Sequence, residues 1–497
     1  MAKVSCAALL KAGLFLVGYL VCFPLMANGD SRPEVRPNVL LIVSEDNGPE
    51  LGCYGQAYVQ TPTLDRLAEK GVRFENAYVP QAGCSQSRAA FMTGLFPHQN
   101  GQIGLATWKC QMYLEDTPNI IRSLKDSGYR TGLIGKLHIN PKSAFPFDMH
   151  EVSSANFARN NLNSYARKAE EFFTAGEEPF FLSVNYPDAH RPWIPKIAGL
   201  PAKPLVGSDV TPLPYFGIDS PQLCDNTADH LNCMSRLDSL VADLLAALER
   251  TGKADNTLVV YFGDHGADLL RGKRTSYEGG VRIPLIAYWP QHCKPLVRKE
   301  LVSTLDLFPT LLEVCGAQIV DGLPGRSLKP LFQPGEVSWR EYLFTEYHLH
   351  SPHNFYPQRT VRDARYKLIQ NLLPGEVNPG YAFTMNRFFP ELAKTIDTAP
   401  LEVRQAYRRM EKPPEYELYD LQKDPFEFKS LVDDPSHAVE LKRLQRVLQD
   451  WRERTSDPLL NAKNLAKLKS EVEASFVDGS PSKKRIESWR YPDYFLP

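Results

Sequence analysis

The chain has 497 residues, 43% hydrophobic and 23% charged, an ordinary balance for a globular protein with one large core or two domains. Its formal net charge of −1 excludes the uniformly basic surface that gives general affinity for nucleic acid, so no nucleic-acid partner is expected. Nine cysteines without CxxC or other compact metal spacing are too sparse for a disulfide scaffold.

Residues 1–27 read as an export signal. Lys3 and Lys11 supply positive charge, and "LFLVGYLVCFPLMA" is an apolar run ending at small Ala27. That run is shorter than the ~20 apolar residues of a membrane span. The mature chain is expected to begin near Asn28 and to work outside the cytoplasm, periplasmic or secreted. Cys6 and Cys22 go with the leader. Seven cysteines remain, so at least one is unpaired within the chain; a bridge between Cys224 and Cys233 is left open.

"RPNVLLIVSEDNGP" follows, and its unbroken apolar run Val39 to Val43 suits a strand buried on both faces. "TPTLDRLAEKGVRF" reads as a helix with Thr63 as N-cap and Gly71 as its stop. "NIIRSLKDSGYRTGLIGKLHI" is a helix to Gly128, then a strand. "YARKAEEFFTAGEEPFFLSVNYPDAHRPW" repeats that pattern. "MSRLDSLVADLLAALERTGKADNTLVVYFGDHG" is a long helix, a Gly252 stop and a strand from Thr257 to Phe262. Helices and strands alternating at this spacing give an α/β domain with a mainly parallel sheet, spanning 36–335. A smaller α+β unit, 336–475, carries the strands of "EYLFTEYHLH", "RTVRDARYKLIQN" and "EYELYDLQKDPFEFKSL" and the amphipathic helix "SHAVELKRLQRVLQDWRERT". The polar tail 476–497 reads as an extended packing arm.

In parallel α/β sheets, functional groups gather beyond the carboxyl ends of the strands. Glu45 and Asp46 follow Val43; Lys136 and His138 follow Ile134; Asp188 and His190 follow Val184; Asp264 and His265 follow Phe262. Glu45, Asp46, Asp264 and His265 are a candidate cation site. Oxygen ligands suit Ca²⁺ or Mg²⁺, and the imidazole leaves Mn²⁺ or Zn²⁺ open. Arg88, Lys136, Lys273 and Arg274, with His138 and His190, suit a tetrahedral oxyanion, sulfate or phosphate, and the histidines suit proton transfer.

"CSQSRAAFMTG" resembles the type I sulfatase signature, Cys-x-Pro-x-Arg followed by Thr-Gly. "GLIGKLHI", "GDHGADLLRGKRTSYEGGVRIPLIAYWP" and "ELYDLQKDPFE" resemble three further segments of that family, in the family's order, across residues 36 to 430. The resemblance implies an alkaline-phosphatase-like sulfatase fold. It implies that Cys84 is oxidised during export by a formylglycine-generating enzyme, and that the hydrated aldehyde attacks sulfur and then eliminates sulfate. It implies Ca²⁺, with Mg²⁺ or Mn²⁺ as alternatives, on Glu45, Asp46, Asp264, His265 and the residue formed from Cys84. Arg88 would fix the formylglycine, Lys136 the developing charge, His138 would assist elimination, and His190 and Lys273 would face the leaving group.

Two positions depart from the pattern. Glu45 stands where the family has Asp, and reaches one methylene further. Gln86 stands where the signature has proline, whose fixed φ helps present the segment for conversion. "GLFPHQNGQIGL" and "NYPDAHRPWIP" look closest to the heparan N-sulfatase branch, whose relatives also act on O-sulfated polysaccharides such as ulvan. A sulfated saccharide is therefore the expected substrate. His98, Asp188, Trp193 and Arg282 are its expected contacts and Trp108 a further candidate. The rival readings are a phosphatase or phosphodiesterase of the same superfold and an unconverted glycan-binding protein.

Overall fold

The computed structural model describes residues 36–496; the export-signal reading falls outside the described residues. The larger sheet has strands β1 Asn38–Ser44, β2 Val72–Tyr78, β3 Arg130–Gly135, β4 Met149–Glu151, β5 Phe180–Tyr186, β6 Thr257–Gly263, β7 Arg282–Tyr288 and β8 Leu296–Ser303. Their order is β4-β3-β5-β1-β6-β7-β2-β8, and β7 alone runs against its neighbours β6 and β2. The sheet is thus mainly parallel, as the alternating pattern predicts. Strand β1 lies at its centre and is apolar throughout for a physical reason. Val39, Leu41 and Val43 enter the core on one face, and Leu40 and Ile42 enter a second core on the other. A strand covered on both sides has no solvent face to alternate toward.

Helices cover the two faces. The 30-residue helix Pro221–Arg250 packs against Ser164–Phe173 and Pro62–Lys70. The last of these corrects a sequence expectation: Thr61, not Thr63, is its N-cap residue. The free amides of Thr63 and Leu64 donate instead to Asp238 of the long helix, at 3.0 and 2.8 Å. Capping is supplied across the interface, which local sequence cannot show.

The smaller sheet is antiparallel, β12-β11-β10-β9, built from β9 Leu343–Tyr347, β10 Gln358–Arg362, β11 Tyr366–Asn371 and β12 Tyr416–Asp420. Helix Ala438–Arg454 covers it through Leu444, Leu448 and Trp451, which meet Val361, Leu368 and Leu418. The tail is not an extended arm. It forms short helices Lys483–Ile486 and Tyr491–Phe495, and the Tyr491 hydroxyl reaches the Gly101 and Gln111 carbonyls at 3.0 Å.

All seven cysteines of the described residues are free. Cys224 and Cys233 lie on one helix. Nine residues of helical rise separate them by about 13 Å, beyond the reach of a disulfide.

Candidate active site

Strands β3, β5, β1 and β6 are adjacent and parallel, with Ser44 opposite both Tyr186 and Gly263 and Gly135 opposite Asn185. Their carboxyl ends therefore meet on one edge of the sheet. This alignment brings the Glu45–Asp46, Lys136–His138, Asp188–His190 and Asp264–His265 segments together. Tight backbone holds them: a Cβ at Gly263 would meet the Asn47 carbonyl at 2.0 Å. Asp46 and His138 adopt left-handed φ of 50° and 58°, a conformation that costs a non-glycine residue about 1–2 kcal/mol. Cys84 arrives separately, as the first residue of helix Cys84–Thr93, whose free amides favour an anionic group at that end.

The side chains interlock around the thiol. Cys84 Sγ lies 3.4 Å from His265 Nε2. Lys273 Nζ donates to Asp46 at 2.8 and 3.0 Å, and Lys136 Nζ donates to Glu45 at 2.8 Å. Arg88 is 1% exposed. Its Nε donates to Asp264 at 3.2 Å, and its Nη1 to the Lys136 carbonyl and Asn185 at 2.9 and 2.6 Å. The His190 Nδ1 is held by the Arg191 carbonyl at 2.5 Å, and its ring stacks on Phe157 with centroids 3.8 Å apart.

Charges here are set by competition between burial and neighbours. Burial raises the Cys84 thiol, but Lys136, Lys273 and His265 overcome it and hold the thiol well below its ordinary range. Burial likewise opposes ionisation of Asp46, and Lys273, His190 and His265 outweigh it. At Glu45 burial wins, and the carboxyl sits above its ordinary value despite Lys136 and Arg88. Burial and Lys136 together push His138 down to about 4, so it is a neutral imidazole with both ring nitrogens free of partners.

A cleft of about 350 Å³ opens above this floor, lined by Cys84, Lys136, His138, His190 and His350, with Leu105, Ile139 and Phe157 among its apolar walls. His350 was not among the expected site residues. It comes from the loop after β9, and nothing in its local sequence marks it. Phe157 was also missed; besides His190 it carries the Lys136 ammonium 5.3 Å from its ring centre.

The four expected saccharide contacts lie elsewhere in this arrangement. His98 is 2% exposed; its Nδ1 pairs with Glu346 at 2.6 Å and its Nε2 meets the Thr455 carbonyl at 3.2 Å. Arg282 donates to the Glu75 carbonyl at 3.1 and 2.8 Å. Trp193 donates to the Ala189 carbonyl at 2.8 Å and packs under the Arg191 guanidinium at 3.8 Å. Asp188 is fully buried between Arg236, at 2.6 and 2.8 Å, and Arg159, at 3.1 Å. Its backbone carbonyl also accepts from Glu45 N at 3.1 Å. Asp188 therefore fixes the backbone beneath the site rather than meeting substrate. Asp188→Ala strands two buried guanidiniums, and a loss of about 3–5 kcal/mol is expected; a urea midpoint equal to the parent's would refute this. Trp108 is half-buried under Lys483 and His353, and Arg274 is taken up by Asp268 at 2.5 Å.

Two ligand sets bring their donor atoms within 4.8 Å of one another: Asp46, Cys84 and His190, and Cys84, Asp264 and His265. The mixed oxygen and imidazole donors fit a divalent cation such as Ca²⁺, Mg²⁺ or Mn²⁺. His265 Nδ1 is engaged by the Gly266 carbonyl at 2.9 Å, which leaves Nε2 directed at the site. Glu45 is in neither set: its longer side chain carries the carboxylate to Lys136, and its Oε1 is buried without a hydrogen-bond partner.

A family model described as sulfatase matches residues 37–317. A second, described as the C-terminal part of N-sulphoglucosamine sulphohydrolase, matches residues 263–378. The human N-sulphoglucosamine sulphohydrolase is 30% identical over 490 residues, covering 88% of this chain and 94% of its own. The chain belongs to the sulfatase family. This sulfatase is also 26% identical to an ulvan-active sulfatase of Formosa agariphila, over 90% of each chain. Its fold matches, at TM-score 0.64 and 20% identity, a structure solved with D-glucosamine-2-N,6-O-disulfate as substrate, covering 85% of this chain and 98% of that one. Membership makes the chain a sulfuric-ester hydrolase and gives the Cys84 cleft its enzymatic class.

Proposed function

We propose that this enzyme hydrolyses a sulfate ester or sulfamate on a sulfated saccharide, using a formylglycine made from Cys84 and a bound Ca²⁺. The observation that carries the reading is that Cys84 shares one cleft with Lys136, His138 and His190, while Asp46, Asp264 and His265 bring donor atoms around its thiol and Lys273 is held on Asp46. Relatives named for N-sulphoglucosamine and for ulvan support a saccharide.

A formylglycine at position 84 would supply a hydrated-aldehyde nucleophile, and a bound divalent cation would supply Lewis-acid polarisation. Asp46, Asp264 and His265 are the residues that would hold the cation. Lys136 and Lys273 hold positive charge beside the reacting sulfur and stabilise negative charge as it develops. His138, neutral and unpartnered, takes a proton as sulfate leaves. His190 is oriented by its Nδ1 contact and by Phe157, and presents Nε2 to the leaving oxygen or nitrogen.

Ser85, Gln86 and Ser87 are fully buried. A maturing enzyme that reads an extended segment meets these side chains only before the chain folds, which fits conversion during export. The test is mass spectrometry of the tryptic peptide Phe74 to Arg88 from protein made with a formylglycine-generating enzyme. The aldehyde mass is expected. Only unmodified cysteine, with Gln86→Pro converting normally, would favour the unconverted glycan-binding reading. Sulfate release from a panel of N- and O-sulfated saccharides follows.

A further inference from the structure

We propose that His350, supplied to the cleft by the smaller-sheet region, hydrogen-bonds a non-bridging sulfuryl oxygen of the substrate, and that Gln86 is its positioning residue. The inference rests on the sulfatase reading and deepens it.

Three observations carry it. First, His350 lines the same cleft as Cys84, Lys136, His138 and His190. Its Nε2 is buried without a partner. A buried polar atom without a partner in a cleft is one that a ligand satisfies. Second, the backbone that carries the ring is pinned. The His350 carbonyl accepts from Leu105 N at 3.0 Å. The preceding carbonyl, of Leu349, accepts from the side-chain amides of both Gln81 and Gln86, at 3.0 and 2.5 Å. Leu349 itself is fully buried with Ile103 and Cys110.

Third, Gln86 occupies the position where the family signature has proline. It is the third residue of its helix, where the amide has no intrahelical acceptor, so the helix itself makes no demand for glutamine. Its side chain instead bridges the Leu349 and Ile103 carbonyls. Proline has no side-chain donor to do this. The glutamine thus ties the helix that begins at Cys84 to the loop that carries His350. The imidazole adds a directional hydrogen bond in the cleft where Lys136 already supplies charge.

The test compares the metal-loaded parent with His350→Phe, His350→Gln and Gln86→Ala, titrated calorimetrically with inorganic sulfate, alongside kcat, KM and melting curves. His350→Phe keeps the ring volume without the donor and is expected to weaken sulfate binding about tenfold. His350→Gln, which keeps a neutral donor, is expected to recover most of that loss. Gln86→Ala should fall between, and adding it to His350→Phe should cause no further loss, because both act through one group. If His350→Phe does not fold, His350→Ala serves in its place. A variant without the imidazole that binds sulfate within about twofold of the parent overturns the proposal. A parent that neither binds sulfate nor releases it from any sulfated saccharide overturns the sulfatase reading as well, so the two failures are separable.

Discussion

Cys84→Ala is expected to lower sulfate release by at least about 10³-fold while leaving the fold in place, because removing a nucleophile leaves only binding and electrostatic stabilisation. The side chain is small and 2% exposed, and helix Cys84–Thr93 begins there whatever residue stands first. The stability change is therefore expected to stay within about 1–2 kcal/mol, the range of a modest core truncation. Lys136, Lys273, His138 and His190 remain in the variant, so inorganic sulfate should still bind. Loss of turnover with retained sulfate binding would assign chemistry, and not merely binding, to Cys84. A variant that turns over like the parent would remove the formylglycine route and reopen the phosphoryl-transfer alternative. Equal inactivity of parent and variant, with equal sulfate affinity, would identify an unconverted binder.

Much of this site is legible in the sequence because of one geometric rule. Parallel neighbours put all their carboxyl ends on the same edge. Finding where apolar runs stop at Glu45, Lys136, Asp188 and Asp264 therefore locates groups that meet in space. The unbroken run Val39 to Val43 is informative for the same reason: it marks the strand with a core on each side. Local signals were weaker where the deciding partner is remote. The cap of helix Pro62–Lys70 comes from Asp238, and the free cysteines of Pro221–Arg250 are separated by helix geometry that spacing alone does not show.

The saccharide contacts were the least legible part. A polar or aromatic residue beside a motif has two uses, and sequence does not say which. His98 follows the signature closely but is consumed by Glu346. Arg282 is consumed by the Glu75 carbonyl, and Asp188 by two arginines. His350 shows the converse. It reaches the cleft because Gln86 grips a carbonyl 263 residues away, and a contact to backbone leaves no trace in the identity of the residue gripped.

The second large effect concerns Arg88. Its guanidinium does not line the cleft. It lies beneath the floor, 3.0 Å from Asp264 and 3.6 Å from Glu45 at Nη2, and it braces the Lys136 carbonyl and Asn185. Arg88 thus positions the groups that act and neutralises two buried carboxylates. Arg88→Met removes the charge but keeps an apolar stem, leaving buried Asp264 without its guanidinium partner and Glu45 with Lys136 alone. Breaking a buried pair from one side is expected to destabilise by about 3–5 kcal/mol, read as a lowered denaturant midpoint at unchanged slope. Turnover should fall about 10²-fold through displaced Lys136 and Asp264, with kcat falling more than KM rises, since Arg88 acts through the groups it braces. Arg88→Lys restores the charge without the fork that spans Asp264, Asn185 and the Lys136 carbonyl, so it should recover stability more fully than turnover. A methionine variant with the parent's midpoint and kcat would show that the Asp264 carboxylate is held by other groups, and that the arginine beneath the floor is dispensable.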